Sequence, residues 1–336
     1  MKNALIALSL GEPSGIGPEI VVKAWAALRG EGPAFMVVGD AQSLAAASMA
    51  GASIIRSVAS PSEALAVFAS ALPVLNLPLS TDVVAGQPSP AAAASVIRWI
   101  ETAAGLVLSG EAGALVTAPI AKAALYAAGF GFAGHTEFLA ELAACAQPDR
   151  ACGPVMMLIA GDLRTSLVTI HEPLARVPGL LSIANILNAG LVTARGLVED
   201  FGIANPRLAV AALNPHAGER GALGDEEITI IGPAVEALRD HGVDASGPHP
   251  ADSLFHSEAR RRYDAVLCMH HDQALIPVKM LNFWGGVNVT LGLPIVRTSP
   301  DHGVGLDIAG RGQAKADSLI AAIRLAAEIA RRRGPE

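Results

Sequence analysis

Short apolar runs alternate with longer amphipathic or alanine-rich stretches along the chain. The first apolar run, 4–10, leads into a glycine-rich turn at 11–19, and a helical pattern then continues to Leu28. A buried strand followed by a helix recurs several times after this point. Because such alternation produces right-handed crossovers between strands that run in one direction, the pattern predicts an α/β protein with a mainly parallel sheet.

The predicted strands are short apolar runs bounded by Gly, Pro or charged residues, and the predicted helices are longer segments with apolar positions at helical spacing. The strands are 4–10, 35–38, 53–55, 74–75, 114–116, 155–160, 164–170, 208–213, 265–269, 286–291 and 295–297. The helices are 18–28, 41–50, 89–108, 179–201, 225–241 and 316–331, and one more begins at 134–137. Gly161-Asp162 is typical of a hairpin turn, so the sheet is expected to be mixed there.

The composition fits closely packed helix and sheet layers. Of the 336 residues, 51% are hydrophobic and only 4% are aromatic, which predicts a core of small and branched aliphatic side chains. A chain of this length accommodates two lobes. The net charge of −7 and the pI of about 5.7 argue against nucleic acid or an anionic membrane as a partner. A small anionic substrate is compatible with this charge where a few cations converge.

Cysteine content and hydropathy indicate a cytoplasmic protein. The three cysteines, Cys145, Cys152 and Cys268, show no C-x-x-C spacing, which argues against a disulfide framework and a structural zinc motif. The apolar run 4–10 meets Gly11 at once and is interpreted as the first strand rather than a signal peptide. No apolar stretch reaches the roughly 20 uninterrupted residues that span a bilayer.

Histidines follow three of the apolar runs. His171 and His271 each close a strand-like run, and His216 lies in the loop 214–219 that follows another. Ligands bind at the carboxyl ends of strands in open α/β sheets, and imidazoles are common zinc ligands. The three histidines therefore indicate a metal site built from strand ends. Taken singly, each is also compatible with an ordinary surface or capping histidine.

Two helix N-termini are candidate ligand sites. The turn 11–19 lacks the G-x-G-x-x-G spacing of the ordinary dinucleotide fingerprint. Its backbone N–H groups and Glu19 can face a ligand, and a tight connection between strand and helix explains the glycines equally well. At 134–137, Thr136 and the N–H groups of the first turn are available to an anion, or they form only a helix cap.

Six motifs occur together and in a fixed order along the chain. This combination is far more specific for a protein family than any single glycine-rich loop. Together they resemble the 4-hydroxythreonine-4-phosphate dehydrogenase family of pyridoxal phosphate biosynthesis over nearly the whole chain. The motifs are GEPSGIGPE at 11–19, GHTE at 134–137, NPHAGE at 214–219, HDQ at 271–273, NVTLGLP at 288–294 and RTS at 297–299.

The resemblance implies a divalent metal, zinc, magnesium or cobalt, with ligands from both subunits of a homodimer. The implied metal ligands are His171, His216 and His271, the same histidines that follow the strand-like runs. The implied substrate ligands are His135, Thr136, Lys279, Asn288 and Arg297. Lys279 and Arg297 supply the permanent positive charge that a phosphorylated hydroxy acid requires, and the arginine can bind two oxygens at once.

A more distant likeness, to isocitrate and isopropylmalate dehydrogenases, concerns the cofactor. Those enzymes bind a nicotinamide dinucleotide without the Rossmann fingerprint. The implied contacts with NAD or NADP are Gly15, Gly17, His302, Gly303, Asp307 and Gly310. The likeness also implies a two-lobed α/β/α fold with a mixed, mostly parallel sheet. One lobe, 1–130 plus 280–336, is expected to bind NAD, and the other, 131–279, to carry the metal, the substrate and the dimer contact.

The reaction implied by the resemblance is oxidation of 4-hydroxythreonine 4-phosphate, followed by decarboxylation to 3-amino-1-hydroxyacetone phosphate. A metal ion suits both steps, since it lowers the pKa of the hydroxyl and stabilises an enolate. Lys279 and Asp272 are the candidate catalytic residues for proton transfer, and the sequence leaves the choice open. We favour Lys279 as a phosphate or carboxylate ligand and Asp272 as the hydrogen-bond partner of a metal-binding histidine.

Several residues depart from the family pattern beside the substrate and cofactor positions. Ala274 stands where glycine is frequent, and Val304 and Gly305 stand where a small polar residue is expected. These differences leave the exact substrate open. The segment 271–283 also resembles a sister branch that acts on D-threonate or D-erythronate 4-phosphate, and a further relative oxidises aromatic carboxylate cis-dihydrodiols. Outside this class, the alternatives are a non-catalytic protein that binds a phospho-ligand or metal, and an acyl transferase similar to phosphate acetyltransferase.

Overall fold

The computed structural model of the protein describes residues 5–48, 51–132, 135–142 and 153–334. The chain forms two compact units. Unit 1 comprises Met1–Ala144 and Pro294–Glu336, and unit 2 comprises Cys145–Leu293. Each unit contains strands of a β-sheet with helices packed on them.

Unit 1 contains the first and last elements of the chain. Its strands are β1 (Ile6–Ser9), β2 (Phe35–Gly39), β3 (Ile55–Ser57), β4 (Leu72–Asn76), β5 (Ala114–Thr117) and β12 (Arg297–Pro300). Its helices are α1 (Gly17–Leu28), α2 (Ala41–Ala47), α3 (Pro61–Val67), α4 (Ala93–Leu108), α5 (Lys122–Ala127), α6 (His135–Leu142) and α11 (Asp317–Arg333).

Unit 2 contains the middle elements. Its strands are β6 (Val155–Ala160), β7 (Leu163–Leu167), β8 (Arg207–Ala211), β9 (Asp244–His249), β10 (Ala265–Cys268) and β11 (Val287–Leu291). Its helices are α7 (Val177–Leu180), α8 (Ile183–Glu199), α9 (Gly232–Asp240) and α10 (His271–Leu281).

The strands of unit 1 are all parallel, in the order β3-β4-β2-β1-β5-β12. β1 pairs Ile6 with Phe35 on one side and with Ala114 on the other. Every residue of β1 is buried, as expected for a central parallel strand covered on both faces. Helix α4 packs on β1, β2 and β5, and α11 packs on β5 and β12. The glycine-rich turn therefore leaves the carboxyl end of a central strand.

The strands of unit 2 are mixed, in the order β11-β6-β7-β10-β8-β9. β6 pairs antiparallel with β11 and β7, whereas β7, β10, β8 and β9 run parallel to one another. Gly161 has a φ of 59° in the turn between β6 and β7, and the predicted hairpin is confirmed. The three candidate histidines lie in the segments that follow β7, β10 and β8. Because these strands are parallel neighbours, the three segments start at the same edge of the sheet.

The predicted α/β class with mostly parallel strands is confirmed, and some elements were missed. Helix α10 contains Pro277, and a proline lacks an N–H donor and disfavours the helix around it. Strand β9 contains Gly247-Pro248, which are both unfavourable in a central strand, but among the described strands β9 lies at the sheet edge and pairs with β8 alone. The short helices α3 and α5 lie in segments without a clear apolar pattern. In these segments, tertiary packing outweighs local preference.

Strand pairing sets the boundaries of the units. The sequence-based lobes divide at 131 and 279, whereas the units divide after Ala144 and Leu293. Helix α10 packs on β6 and β7, and β11 pairs with β6, so both elements belong to unit 2. The functions assigned to the two lobes stay predictions.

One helical segment among the described residues, Pro90–Leu108, is long and apolar enough to cross a membrane. Half of its apolar window is buried inside the protein, and α4 within it packs on the strands as a core helix does. Leu174–Leu180 and Ile183–Glu199 pass the same criteria only as a joined pair, with a bend of 94° between them. Length and composition are therefore weak evidence for a membrane span here.

Candidate functional site

The ends of β7 and β10 place His171 beside His271. The N–H and the hydroxyl of Thr169 both donate to the carbonyl of Met269, at 3.3 and 2.7 Å. These bonds continue the parallel pairing beyond the last strand residues. The two imidazole rings lie with their centroids 5.7 Å apart. Two of the histidines predicted at strand ends are therefore neighbours in unit 2.

His271 begins helix α10 and is oriented by the residue that follows it. Its Nδ1 lies 2.8 Å from Asp272 Oδ1, so the carboxylate can accept a hydrogen bond from Nδ1–H. In that tautomer Nε2 carries the lone pair that binds a metal ion. The side chain of His271 is 33% exposed and that of Asp272 is 74% exposed. Both groups therefore reach the surface of the chain.

His216 lies in a left-handed turn after β8. The φ values of His216, Ala217, Glu219 and Arg220 are all positive, from 42° to 58°. A left-handed conformation costs about 1–2 kcal/mol for each residue that is not glycine. Backbone strain of this kind persists where the surroundings enforce it, and it is frequent at functional sites. The turn presents an exposed imidazole at the strand end.

Glu227 holds this turn from inside unit 2. The residue is 5% exposed and begins a π-helical turn, Glu227–Ile231, which precedes α9. Its Oε1 accepts the N–H groups of Leu213 and Asn214 at 2.9 and 2.7 Å, and its Oε2 accepts the side-chain amide of Asn214 at 3.0 Å. Hydrogen bonds to a carboxylate are stronger than neutral ones. Glu227 therefore anchors the start of the strained turn, a role that no sequence motif indicated.

Gln273 joins the ends of β10 and β8. Its Oε1 accepts the N–H of Met269 at 2.7 Å, and its Nε2 donates to the carbonyl of Ala212 at 2.7 Å. The chain that leads to His216 is thus fixed relative to the chain that leads to His271. Gln273 is part of the HDQ motif, but only the structure shows that its side chain joins the two strand ends.

The donor set fits a divalent metal. Imidazole nitrogens suit zinc and cobalt, and a carboxylate that accepts the other ring N–H is the usual support of such a ligand. Among the described residues of the single chain, no group of three His, Cys, Asp or Glu side chains is arranged to hold a metal ion. The chain by itself brings together His171 and His271, with His216 on the next strand end.

Arg297 is a buried cation in unit 1. It begins β12 and is 3% exposed, and its Nη2 donates to the hydroxyl of Thr117 at 2.7 Å. Thr117 ends the neighbouring strand β5 and is fully buried. The hydrogen bond fixes one side of the planar guanidinium group. An arginine oriented in this way can bind an anion with little further loss of freedom.

The other predicted substrate residues lie in unit 2 and in α6. Asn288, in β11, has a buried Oδ1 that accepts no hydrogen bond from the described residues. Lys279 lies in the last turn of α10, with its Nζ 5.3 Å from the ring centre of Phe283. His135 and Thr136 lie in the first turn of α6, and their side chains are outside the described part of the structure.

The glycine-rich turn after β1 meets the loop after β12. The N–H of Ile16 donates to the carbonyl of Val304 at 2.9 Å, and a Cβ on Gly15 would lie only 2.7 Å from that oxygen. A Cβ on Gly17 would lie 2.7 Å from the carbonyl oxygen of Leu10. Packing alone therefore explains both glycines. Their contact with a cofactor stays a prediction.

The loop after β12 carries the remaining candidate cofactor residues. Gly303 is exposed, and a Cβ there would meet no described atom within 4 Å, so its backbone is open to a ligand. His302 Nδ1 lies 3.0 Å from the carbonyl oxygen of Gly303. Asp307 and Gly310 are exposed as well, and Gly310 has a φ of 73°. A loop with open backbone at Gly303 and an exposed carboxylate at Asp307 has groups that suit the pyrophosphate and ribose of a dinucleotide.

The half-buried imidazole of His270 and the buried thiol of Cys268 lie next to the histidines, and their surroundings favour the uncharged form of each. Burial lowers the pKa of His270, and the opposing effect of the Asp272 carboxylate is smaller. Burial also raises the pKa of the Cys268 thiol, which is a free thiol. Neither side chain therefore adds charge beside His271.

Comparison with known proteins places this arrangement in a family. A family model described as "Pyridoxal phosphate biosynthetic protein PdxA" matches residues 31–326. The chain belongs to the PdxA family. A relative named 4-hydroxythreonine-4-phosphate dehydrogenase, from Caulobacter vibrioides, is 67% identical over 334 residues, which cover 99% of this chain and 100% of the relative. The resemblance drawn from the six motifs is confirmed.

Solved structures extend the comparison to two named activities. A 4-hydroxythreonine-4-phosphate dehydrogenase from Klebsiella pneumoniae has a TM-score of 0.83 at 39% identity, covering 97% of this PdxA-family chain and 98% of its own. A terephthalate 1,2-cis-dihydrodiol dehydrogenase from Burkholderia xenovorans LB400 has a TM-score of 0.64 at 30% identity, covering 97% and 98%. The fold around the PdxA-family site therefore occurs with different substrates.

Proposed function

We propose that this PdxA-family protein is a metal-dependent oxidoreductase that oxidises 4-hydroxythreonine 4-phosphate with NAD or NADP, in pyridoxal phosphate biosynthesis. Oxidation of the secondary hydroxyl gives a 3-oxo acid, which loses CO₂ to give 3-amino-1-hydroxyacetone phosphate. The observation that carries the proposal is the pair of imidazoles, His171 and His271, at adjacent strand ends in a chain 67% identical to a relative of that name.

His171, His216 and His271 are the residues that would hold the divalent ion, which we take to be zinc, cobalt or magnesium. When bound, the ion supplies Lewis-acid polarisation of the substrate's oxygen atoms in both steps. Asp272 favours the tautomer of His271 in which Nε2 can bind. Glu227, through its hydrogen bonds to the strained turn, fixes the approach of His216.

Cations and one amide account for substrate binding. Arg297 and Lys279 supply positive charge for the phosphate and carboxylate groups. The buried Oδ1 of Asn288 is available to a donor on the substrate. We propose further contacts from His135 and Thr136. Of the two candidate catalytic residues, Asp272 can accept a hydrogen bond from His271, which supports an orienting role for Asp272, and we propose Lys279 as a ligand of the phosphate or carboxylate group.

Unit 1 supplies the proposed cofactor site. When bound there, NAD or NADP would supply the hydride acceptor for oxidation of the substrate carbon. The open backbone at Gly303 can approach the pyrophosphate, as can the exposed Gly310, whose φ is 73°, and the Asp307 carboxylate can accept hydrogen bonds from ribose hydroxyls. His302 lies beside Gly303, and Gly15 and Gly17 shape the turn against which the loop packs.

We also propose that the protein acts as a homodimer in which a second copy completes the metal site. Five large apolar side chains are exposed on α10 and the turn after it: Ile276, Met280, Leu281, Phe283 and Trp284, at 64%, 83%, 41%, 60% and 52%. Such clustered exposure marks an interaction surface. The helix begins at His271, so a partner that covers it lies next to the histidine. The cytoplasm, where a free thiol such as Cys268 stays reduced, is the proposed compartment.

A panel of substrates tests the proposed activity. With NAD and a divalent metal, we expect NADH formation from 4-hydroxythreonine 4-phosphate with a kcat/KM at least about tenfold above that for competing substrates. The competitors are D-threonate 4-phosphate, D-erythronate 4-phosphate and the cis-dihydrodiol of terephthalate. A preference for the dihydrodiol would favour the activity named for the Burkholderia relative. NADH formation from none of them would contradict the proposal and favour a non-catalytic binding protein.

A further inference from the structure

A buried carboxylate in the first turn of α1 contacts the far end of the loop after β12. Glu19 is 5% exposed, and its Oε1 accepts hydrogen bonds from Lys23 Nζ at 2.7 Å and from the N–H of Ala314 at 2.8 Å. Its Oε2 is buried and accepts no hydrogen bond from the described residues. Burying a carboxylate with one oxygen unsatisfied is costly. The hydrogen bonds to Oε1 offset part of this cost and tie the first turn of α1 to the loop.

Lys23 reinforces the same contact. Its Nζ donates to Glu19 Oε1, to the carbonyl of Gly312 at 2.9 Å and to the carbonyl of Ala314 at 2.7 Å. The three donors of one ammonium group are thereby satisfied. An ordinary surface ion pair four residues apart on a helix contributes little. This pair differs because two of the three acceptors of the lysine belong to a segment about 290 residues away in sequence.

The loop is held against the start of α1 at two points. Near its beginning, the carbonyl of Val304 accepts the N–H of Ile16 at 2.9 Å. Near its end, Ala314 is bound by Glu19 and Lys23. The candidate cofactor residues Asp307 and Gly310 lie between the two attachments. A loop fixed at both ends keeps its exposed middle in one conformation at a smaller entropic cost on binding.

We propose that Glu19 and Lys23 are positioning residues that hold the loop after β12 in the conformation that binds the dinucleotide. The inference rests on the proposed function, because that function assigns the loop to NAD or NADP. Neither residue touches the cofactor in this account. Glu19 and Lys23 act through the backbone of Gly312 and Ala314. Loss of their hydrogen bonds lowers the fraction of molecules in which the loop has the conformation that binds the dinucleotide.

The variants Lys23→Met and Glu19→Gln test the inference. If the loop is in place in one molecule in ten, the Kd for NAD rises about tenfold. The KM for NAD is expected to rise in parallel, with kcat within about twofold of wild type because the reacting groups are unchanged. Lys23→Arg keeps several donors and is expected to recover most of the affinity. Glu328→Gln, which breaks an exposed ion pair with Arg332 on α11, is the matched control and should leave the Kd unchanged.

Hydrogen exchange provides a readout that does not depend on activity. The amide of Ala314 is expected to exchange faster in both variants, whereas the amide of Ile16, at the other attachment, stays protected. Unchanged exchange at Ala314 would overturn the inference, and so would faster exchange with an unchanged Kd for NAD. Wild-type protein that binds neither NAD nor NADP by calorimetry would instead overturn the proposed function and the cofactor role of the loop together.

Discussion

The buried hydroxyl of Thr117 accepts a hydrogen bond from the guanidinium group of Arg297. In Thr117→Val, Nη2 loses this acceptor while the side chain keeps its shape. A hydrogen bond to a charged group contributes about 1.5–3 kcal/mol, so the KM for the phosphorylated substrate is expected to rise about tenfold, with a smaller change in kcat. Steady-state kinetics measures both. Thr117→Ser keeps the hydroxyl and is expected to behave like wild type, and equal losses in the two variants would contradict the orienting role.

His216 is exposed in its strained turn, so its removal should affect chemistry more than stability. His216→Ala is expected to lower kcat by at least about 100-fold, because a metal ligand is lost, while the melting temperature stays near that of wild type. Arg220→Ala changes an exposed residue in the same left-handed turn and serves as the control. A His216→Ala protein that is folded and fully active would remove this residue from the proposed metal site.

The closeness of His171 and His271 could be predicted from sequence, and so could the hydrogen bond between Asp272 and His271, whereas the other residues that position these histidines could not. His171 and His271 follow apolar runs, and parallel strands bring their carboxyl ends to one edge without any knowledge of side-chain contacts. The supporting bonds of Glu227 and Gln273 depend on which elements become neighbours in the fold. Asn214 and Glu227 are 13 residues apart and belong to a turn and a π-helical segment that no local pattern joins.

At the scale of elements, the apolar pattern predicted most of the buried strands, since a central parallel strand is a continuous apolar run. It missed α10, which contains Pro277, and β9, which contains Gly247-Pro248. Both elements are stabilised by their neighbours. Ala274 and Val278 of α10 are buried in the core cluster of unit 2, and β9 pairs with β8. The secondary-structure propensity of a local segment contains no information about either contact.

The carboxylate of Asp264, just before β10, is expected to make the pairing of β8 with β10 sensitive to pH. Its carboxylate accepts hydrogen bonds from Arg207 N, Nε and Nη2 at 2.8, 3.2 and 3.1 Å. Burial raises the pKa of Asp264, but the hydrogen bonds and charge of Arg207 outweigh burial and lower it. A lowered folded-state pKa stabilises the protein above the unfolded value of about 3.9, and this stabilisation is lost as the pH falls through the folded-state pKa.

Urea unfolding between pH 6 and pH 3 measures this contribution. Wild-type protein is expected to lose more stability over this range than Asp264→Asn, because the amide cannot be protonated in the same range. Asp162, whose side chain is 73% exposed, gives the control variant Asp162→Asn. The role of Asp264 would be contradicted if Asp264→Asn and wild type lost stability equally below pH 4.

At the scale of the whole molecule, the proposed dimer links assembly to chemistry. Met280→Glu places a charge on the exposed apolar surface of α10 and is expected to shift the protein towards monomer in sedimentation experiments, with activity lost in proportion. Leu65→Glu alters an exposed leucine on α3 of unit 1 and should leave assembly unchanged. A fully active monomer of Met280→Glu would show that one chain suffices for the site.

We propose that histidines at strand ends hold a metal ion and that oxidation of the phosphorylated hydroxy acid depends on it. The most direct measurement is NADH formation from 4-hydroxythreonine 4-phosphate by protein stripped with a chelator, before and after return of zinc, cobalt or magnesium. We predict no turnover by the stripped protein and recovery when one of these ions is returned. Undiminished turnover by protein shown to be free of metal would contradict the account.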